Sequence, residues 1–232
     1  MMFLGFSAGL PFLLVFSTLS AWLRAEEVSR AAIGFFSWVG ITYSIKVFWA
    51  PVVDRLPLPV LTRALGRRRS WMLLAMIGIA AGLLGMASTD PAQNLTAMAL
   101  FALVVAFSSA TQDIAIDAYR IEAVAPELQG AMAATYQLGY RVALLITGGL
   151  ALNLAGTISW PLVYALMATF TVVGVATVLI IREPKEQHAQ DAAVQVNLRR
   201  PAPVATRGGV HRGFGHGRAM RLLPLPRWRI AV

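Results

Sequence analysis

Six long apolar stretches, separated by short polar ones, set the pattern of this chain. They run at roughly 1–23, 31–53, 70–87, 95–118, 129–154 and 160–181, each near the ~20 residues a helix needs to cross the bilayer hydrocarbon. The pattern predicts an all-α polytopic membrane protein with six transmembrane helices. The first stretch lacks a basic leader, runs long and has polar and glycine positions throughout, so it reads as a span and not as a secretory signal. It starts without leading polar residues, and the start codon is expected further upstream. Beyond residue 181 the pattern stops. Residues 192–232 hold eight arginines, no acid and several Gly and Pro, a composition expected to stay disordered. Two regions follow: a six-helix bundle over 1–185 and a basic tail over 186–232.

The polar positions inside the apolar stretches carry the candidate chemistry. Gln112, Asp113 and Asp117 lie within the fourth, where Ser109, Asp113, Asp117 and Arg120 share one stripe at helical spacing. A carboxylate near the bilayer centre costs roughly 2.5–3.5 kcal/mol even on lenient scales, so two on one face must look into protein or a wet cavity. They form either a structural ion-pair cluster or part of a solute and proton pathway. Two carboxylates one turn apart repel, which makes a protonation switch a candidate. The second stretch carries Tyr43, Lys46 and Trp49 on one side, and Lys46 either snorkels to the surface or faces a cavity. The fifth carries Tyr136, Gln137, Tyr140 and Arg141. Arg141 sits deep in its stretch, where it either pairs with a carboxylate or binds an anionic ligand. Span five packed beside span four would pair it with Asp113 or Asp117, and Lys46 is then expected to matter less. Gly5 and Gly9 in the first stretch give a small-xxx-small spacing that permits close helix approach, and Pro11 frees a backbone carbonyl.

Composition agrees with a membrane protein: 57% of residues are hydrophobic, 13% are charged, and mean hydropathy is +0.65. The formal charge of +9 does not signal nucleic-acid binding, because of where it sits. Residues 1–181 carry ten Lys/Arg against eight Asp/Glu, whereas 182–232 carry ten against three. The tail reads either as an attraction to anionic lipid or as out-of-frame translation, and the second is favoured. There are no cysteines, and His188, His211 and His216 all lie in the tail, so neither a metal site nor a cofactor is expected in the spans. The loop 54–69 holds Arg55, Arg63, Arg67, Arg68 and Arg69 against Asp54. The positive-inside rule places it, both termini and loop 119–128 in the cytoplasm.

Six helices with both ends inside and a basic second loop resemble one half of a major facilitator superfamily transporter. The resemblance extends to that superfamily's loop signature: an acid closing helix two, a basic partner, then glycine and arginines, here Asp54, Arg55, Gly66, Arg67, Arg68 and Arg69, with a longer interval before Gly66. More narrowly the chain is similar to the AmpG-type muropeptide permeases. The stretches Phe3–Pro11 (FLGFSAGLP), Lys46–Arg55 (KVFWAPVVDR), Gly66–Trp71 (GRRRSW) and Thr111–Arg120 (TQDIAIDAYR) carry that likeness. The resemblance implies proton-coupled import of anhydro-muropeptides for cell-wall recycling, across the bacterial inner membrane. The polar positions within the spans are the candidate substrate and proton pathway for it: Asp113, Asp117, Arg141, Gln112, Gln137, Tyr140 and Lys46. The resemblance also implies a cytoplasmic gate of Asp54, Arg55, Gly66, Arg67, Arg68, Arg69 and Arg120.

Such transporters have at least twelve spans, so the six here are expected to need a second six-helix half, and the chain is expected to be an incomplete or frameshifted version. The expected partners are membrane lipids, protons and an anionic sugar-peptide solute. The alternatives are an acetyl-CoA-type or other anionic-solute transporter of the same superfamily, a non-functional fragment, and a subunit completed by another six-span chain. A membrane enzyme is not expected: the loops between spans are short and no His or Cys is available in them.

Overall fold

The computed structural model describes residues 1–124 and 126–184; the tail expected over 186–232 lies outside the described residues. Six helical spans are long and apolar enough to cross a membrane: α1 (Met2–Ala25), α2 (Arg30–Phe48), α3 (Arg67–Ala87), α4 (Leu95–Ala123), α5 (Gln129–Ala155) and α6 (Trp160–Ile180). No strand occurs among the described residues. The spans agree with the apolar pattern, with differences at their ends. The second was expected to run to 53. It ends instead at Phe48, and Pro51 opens a separate short helix, Ala50–Arg55, because proline fits the first turn of a helix but not its interior. The fourth runs further than its apolar residues do, through Ala123, so Asp113, Asp117, Arg120 and Glu122 share one rod.

Three spans depart from regular α-helix. α1 breaks at Phe16, α2 carries tight 3-10 turns at Ser37–Gly40 and Lys46–Phe48, and α5 widens to a π turn at Leu145–Leu150. Such turns in the middle of a helix often mark functional positions. Here the second tight turn begins at Lys46.

Packing follows the small residues. α1 lies against α5 with backbone touching backbone: a Cβ on Gly5 would meet the Tyr136 carbonyl, one on Gly9 the Tyr140 carbonyl, and one on Gly139 the Met2 carbonyl. Both partners advance together along the chain, so the two helices are parallel. α3 and α4 form an antiparallel pair in which Gly78, Gly82 and Gly85 receive Ser108, Val105 and Phe101. α6 meets α1 where Gly174 faces Ser7. Two apolar clusters result. One is built around Leu14, Trp22, Leu83, Met98 and Tyr164, and the other around Leu4, Val53, Met72, Ile116 and Val178. Polar ties cross the first cluster, with the Tyr164 hydroxyl donating to the Leu14 carbonyl at 2.7 Å and Thr18 to the Thr147 carbonyl at 2.8 Å.

The spans differ sharply in how far this unit buries them. Within the most apolar window, α1 is 67% buried and α4 56%, whereas α2 is 17% and α5 22%. Thus α1 and α4 form the inside of the bundle. α2 and α5 present most of their surface outward.

Candidate functional site

The outward faces of α2 and α5 are not uniformly apolar, which separates them from a surface built only for lipid. Gln137 and Arg141 are exposed one turn apart on α5, and Lys46 reaches out of the tight turn in α2. The Lys46 Nζ meets Asp113 Oδ2 of α4 at 3.5 Å, with the two side chains 34% and 22% exposed. Lysine and carboxylate are spaced to meet because α2 and α4 run side by side, with Trp49 Nε1 donating to Thr111 Oγ1 at 3.2 Å and its ring 4.9 Å from that of Phe107. Asp117, one turn on, takes Arg120 of its own helix at 3.3 Å. The Arg120 guanidinium also lies 6.0 Å from the centroid of the Tyr136 ring, a cation–π distance.

Of the two readings left open for Arg141, pairing with a span-four carboxylate is not found here. α5 packs on α1, not along α4, so its arginine stays away from both aspartates. Among the described residues no ion pair reaches Arg141. Lys46 neither snorkels nor stands alone; it is the partner of Asp113. With Lys46 matched by Asp113 and Arg120 by Asp117, the guanidinium of Arg141 is left as an unmatched positive charge on this face.

Aromatic rings fill the space between these charges. Phe12 of α1 touches Tyr43 at 6.0 Å and Tyr140 at 6.5 Å between centroids, and Tyr140 neighbours Tyr136 at 6.3 Å. Phe12 was not singled out in the sequence, whereas Tyr43 was, on one side of span two with Lys46 and Trp49, though not as part of the pathway. Gln112 lies deeper than the other candidate residues. It is fully buried and donates from Nε2 to Ser7 Oγ at 2.9 Å, tying α4 to α1 behind the open face. The site is an open surface. A separate cavity of about 690 Å³ lies at the far end of α1 and α2, between Arg24, Glu27, Arg30 and Ser37, away from all of these groups.

At the other end of α2 the arginine-rich loop is organised around one residue. Arg68 is 5% exposed; its guanidinium holds Asp54 at 2.6 Å and Glu122 of α4 at 2.6 Å. Its backbone N–H and that of Arg69 donate to the two carboxylate oxygens of Glu183, at 2.7 and 3.1 Å, capping the start of α3 with an acid from the end of α6. Arg69 in turn donates to the Val178 and Leu179 carbonyls at 2.7 and 2.8 Å. Gly66 precedes this with φ +88, and a Cβ there would strike Glu183. Asp54, Gly66, Arg68 and Arg69 are thus brought together. Arg55 is exposed, and Arg120 belongs to the Asp117–Tyr136 group instead. Glu122 and Glu183 were missed, although an arginine withdrawn from water calls for more than one carboxylate.

Six apolar spans form one bundle with a charged and aromatic open face and an Asp54–Arg68 junction, and comparison with known proteins gives the family. The chain belongs to the Major Facilitator Superfamily, whose model matches residues 1–231, and it is a multi-pass transmembrane protein of a transporter family. It is 40% identical over 187 residues to the Anhydromuropeptide permease of Escherichia coli (strain K12), covering 80% of this chain and 37% of that protein. It is 37% identical over 182 residues to the Putative transporter AmpG 4 of Rickettsia conorii, covering 78% of this chain and 44% of that protein. The chain spans less than half the length of these curated relatives. No solved structure matches it.

Proposed function

We propose that this chain supplies the α1–α6 unit of a secondary transporter that imports an anionic sugar-peptide of the anhydromuropeptide class across the bacterial cytoplasmic membrane, together with protons. One observation carries the reading: a buried-edge Lys46–Asp113 pair lies on the same open face as an unmatched Arg141. An unpaired arginine within a span is costly against lipid, and a substrate carboxylate is the group that relieves it. Tyr43, Tyr136, Tyr140 and Phe12 offer flat apolar surface for sugar rings. The substrate class is that of the Escherichia coli permease to which the chain is similar. A second six-helix unit would cover the exposed sides of α2 and α5 and close the pathway between the two, as in transporters whose site lies between repeats.

The reading is tested in a strain lacking its own permease. A hybrid in which residues 1–184 replace the matching segment of the Escherichia coli permease should restore uptake of labelled anhydromuropeptide. Arg141→Ala and Asp113→Asn in that hybrid should each lose at least about tenfold, the size of effect that 1.4 kcal/mol of lost binding produces. Lys46→Ala should fall with them, because it strands Asp113. A hybrid that transports normally with Arg141→Ala would remove the anion site from this face.

The proposed orientation puts both ends of the six-span unit and loop 54–69 in the cytoplasm. Cysteine introduced at the exposed Thr157 should label from outside in whole cells with an impermeant maleimide, and cysteine at Ala64 should not. Labelling at Ala64 alone would invert the arrangement.

A further inference from the structure

Four polar side-chain atoms between α1, α2 and α4 are sealed from solvent without a well-directed hydrogen bond, namely Tyr43 OH, Ser109 Oγ, Gln112 Oε1 and Asp113 Oδ1, although the Tyr43 and Ser109 hydroxyls lie close enough to interact with each other. Buried in this way, each has given up its water without a well-directed replacement. Three of them are gathered by helix register. α2 and α4 run in the same direction, and Lys46 meets Asp113. Residues one turn earlier on each helix, Tyr43 and Ser109, therefore face each other as well. The Tyr43 phenol is neighbour to both Ser109 and Asp113. The fourth atom belongs to Gln112, whose amide is already committed to Ser7.

The chemical types in this trio matter. Asp113 uses Oδ2 for Lys46 and keeps Oδ1 for the buried side. A carboxylate oxygen only accepts, whereas a protonated one must donate. Backbone carbonyls or an amide could satisfy one of those states but not both. Hydroxyls rotate and can do either.

We propose that Tyr43 and Ser109, with Oδ1 of Asp113, form a buried cage for a proton, the two hydroxyls acting as positioning residues that satisfy Asp113 in both its charged and its neutral form. The proposal rests on the reading of Asp113 as part of the proton pathway. In the charged state the hydroxyls turn to donate to Oδ1, a hydrogen bond that neither of them makes in this structure. A hydronium ion on one side of the membrane then gives a proton to an Oδ1 lone pair, its own O–H bond breaking to leave water as the carboxyl O–H bond forms, and that O–H donates to a hydroxyl oxygen, which turns to accept it. Neutral Asp113 no longer holds Lys46, whose ammonium becomes available to an anion. Return of the proton to water on the other side breaks the O–H bond and restores the pair. No other bond changes. The remaining titratable and charged groups around Asp113 are Lys46 from α2, Asp117 on α4, with Arg120 bound to it, and Tyr136 and Tyr140 from α5. Lys46 engages the other carboxylate oxygen.

The test is pH-difference infrared spectroscopy of the full chain reconstituted in lipid nanodiscs. A protonated-carboxyl stretch should grow as pH falls and vanish in Asp113→Asn. Tyr43→Phe should move that band to higher frequency, because the carboxyl loses a hydrogen bond, and Ser109→Ala should do the same. Ser109→Thr keeps a hydroxyl and should restore the band. Tyr164→Phe, whose hydroxyl is tied to Leu14 in the other cluster, should leave it in place. Bands of Tyr43→Phe and Ser109→Ala coincident with the wild type would overturn the cage, as would a wild-type spectrum with no band sensitive to Asp113→Asn. If Tyr43→Phe does not fold, the Ser109 pair decides. The band and the uptake assay separate the two claims: a hybrid that transports while the band ignores both hydroxyls refutes only the cage. A band that follows the hydroxyls in a chain whose hybrid moves nothing refutes only the transport reading.

Discussion

Arg68→Ala should lower the stability of the six-span unit by about 3–5 kcal/mol, the loss seen when one partner of a buried ion cluster is removed. The reason lies in the asymmetry of its partners. Asp54 has a side chain 45% exposed and can turn to water, whereas that of Glu122 is 13% exposed and held against α4. Deleting the guanidinium takes a partner that engages through two nitrogens from the more buried Glu122, and one that engages through a single nitrogen from Asp54. Arg68→Lys should recover little, since a single ammonium cannot span two carboxylates in the way a planar fork does. Arg68→Met combined with Glu122→Gln should recover most of the loss, because the pair is then removed without leaving a buried charge. Thermal unfolding in detergent, followed by circular dichroism, reads all three. An Arg68→Ala protein as stable as the wild type would show that the cluster is a solvated contact and not a structural junction. The junction joins the short helix after α2, the start of α3, the end of α4 and, through Glu183, the end of α6. Loss of Arg68 should therefore loosen these ends together.

The sequence carries the spans and the Arg-rich loop clearly, because both are written in composition: twenty apolar residues in a row need no partner to be recognised, and neither do clustered arginines. The partners of the charges were not written there. Helical spacing put Asp113 and Asp117 on one stripe, and they do share it, but spacing within one helix is silent on which helix lies beside it. Charge and depth made the aspartates one of two candidate matches for Arg141. The structure gives Asp113 to Lys46 instead, since α5 follows the glycines to α1. Those glycines were visible as a small-xxx-small spacing, a pattern common in membrane helices that names no partner. Gln112 shows the same limit: a glutamine inside a span reads equally as a pathway group and as a strut, and spacing alone does not show its bond to Ser7. Glu183 lies beyond the last apolar stretch, in a short segment of mixed charge, and its role in capping α3 depends wholly on tertiary placement.

Gly139→Ala, a single added methyl, should disturb this protein more than most substitutions of larger size. A Cβ at Gly139 would meet the Met2 carbonyl and the Phe6 backbone nitrogen, and one at Gly5 would meet the Tyr136 carbonyl. Side chains can rotate away from a new methyl; backbone cannot, so α1 and α5 must separate along their length. Overpacking of a tight interior typically costs about 1–3 kcal/mol, and a backbone obstacle puts Gly139→Ala and Gly5→Ala at the upper end of that range. Gly34→Ala and Gly130→Ala provide the contrast, since nothing lies within 4 Å of a Cβ at either position. Both are helical, and there alanine is favoured over glycine by up to about 1 kcal/mol. Those two should be neutral or stabilising under the same detergent unfolding assay. The separation would also carry Tyr140 and Arg141 away from Phe12 and Tyr43, because α5 bears the former pair and α1 and α2 the latter. Uptake by the hybrid should therefore fall in Gly139→Ala even at a temperature where the protein stays folded, and remain unchanged in Gly130→Ala. Equal stability of Gly139→Ala and Gly130→Ala would mean that α1 and α5 do not touch through their backbones, and the open face would have to be rebuilt around a different α5.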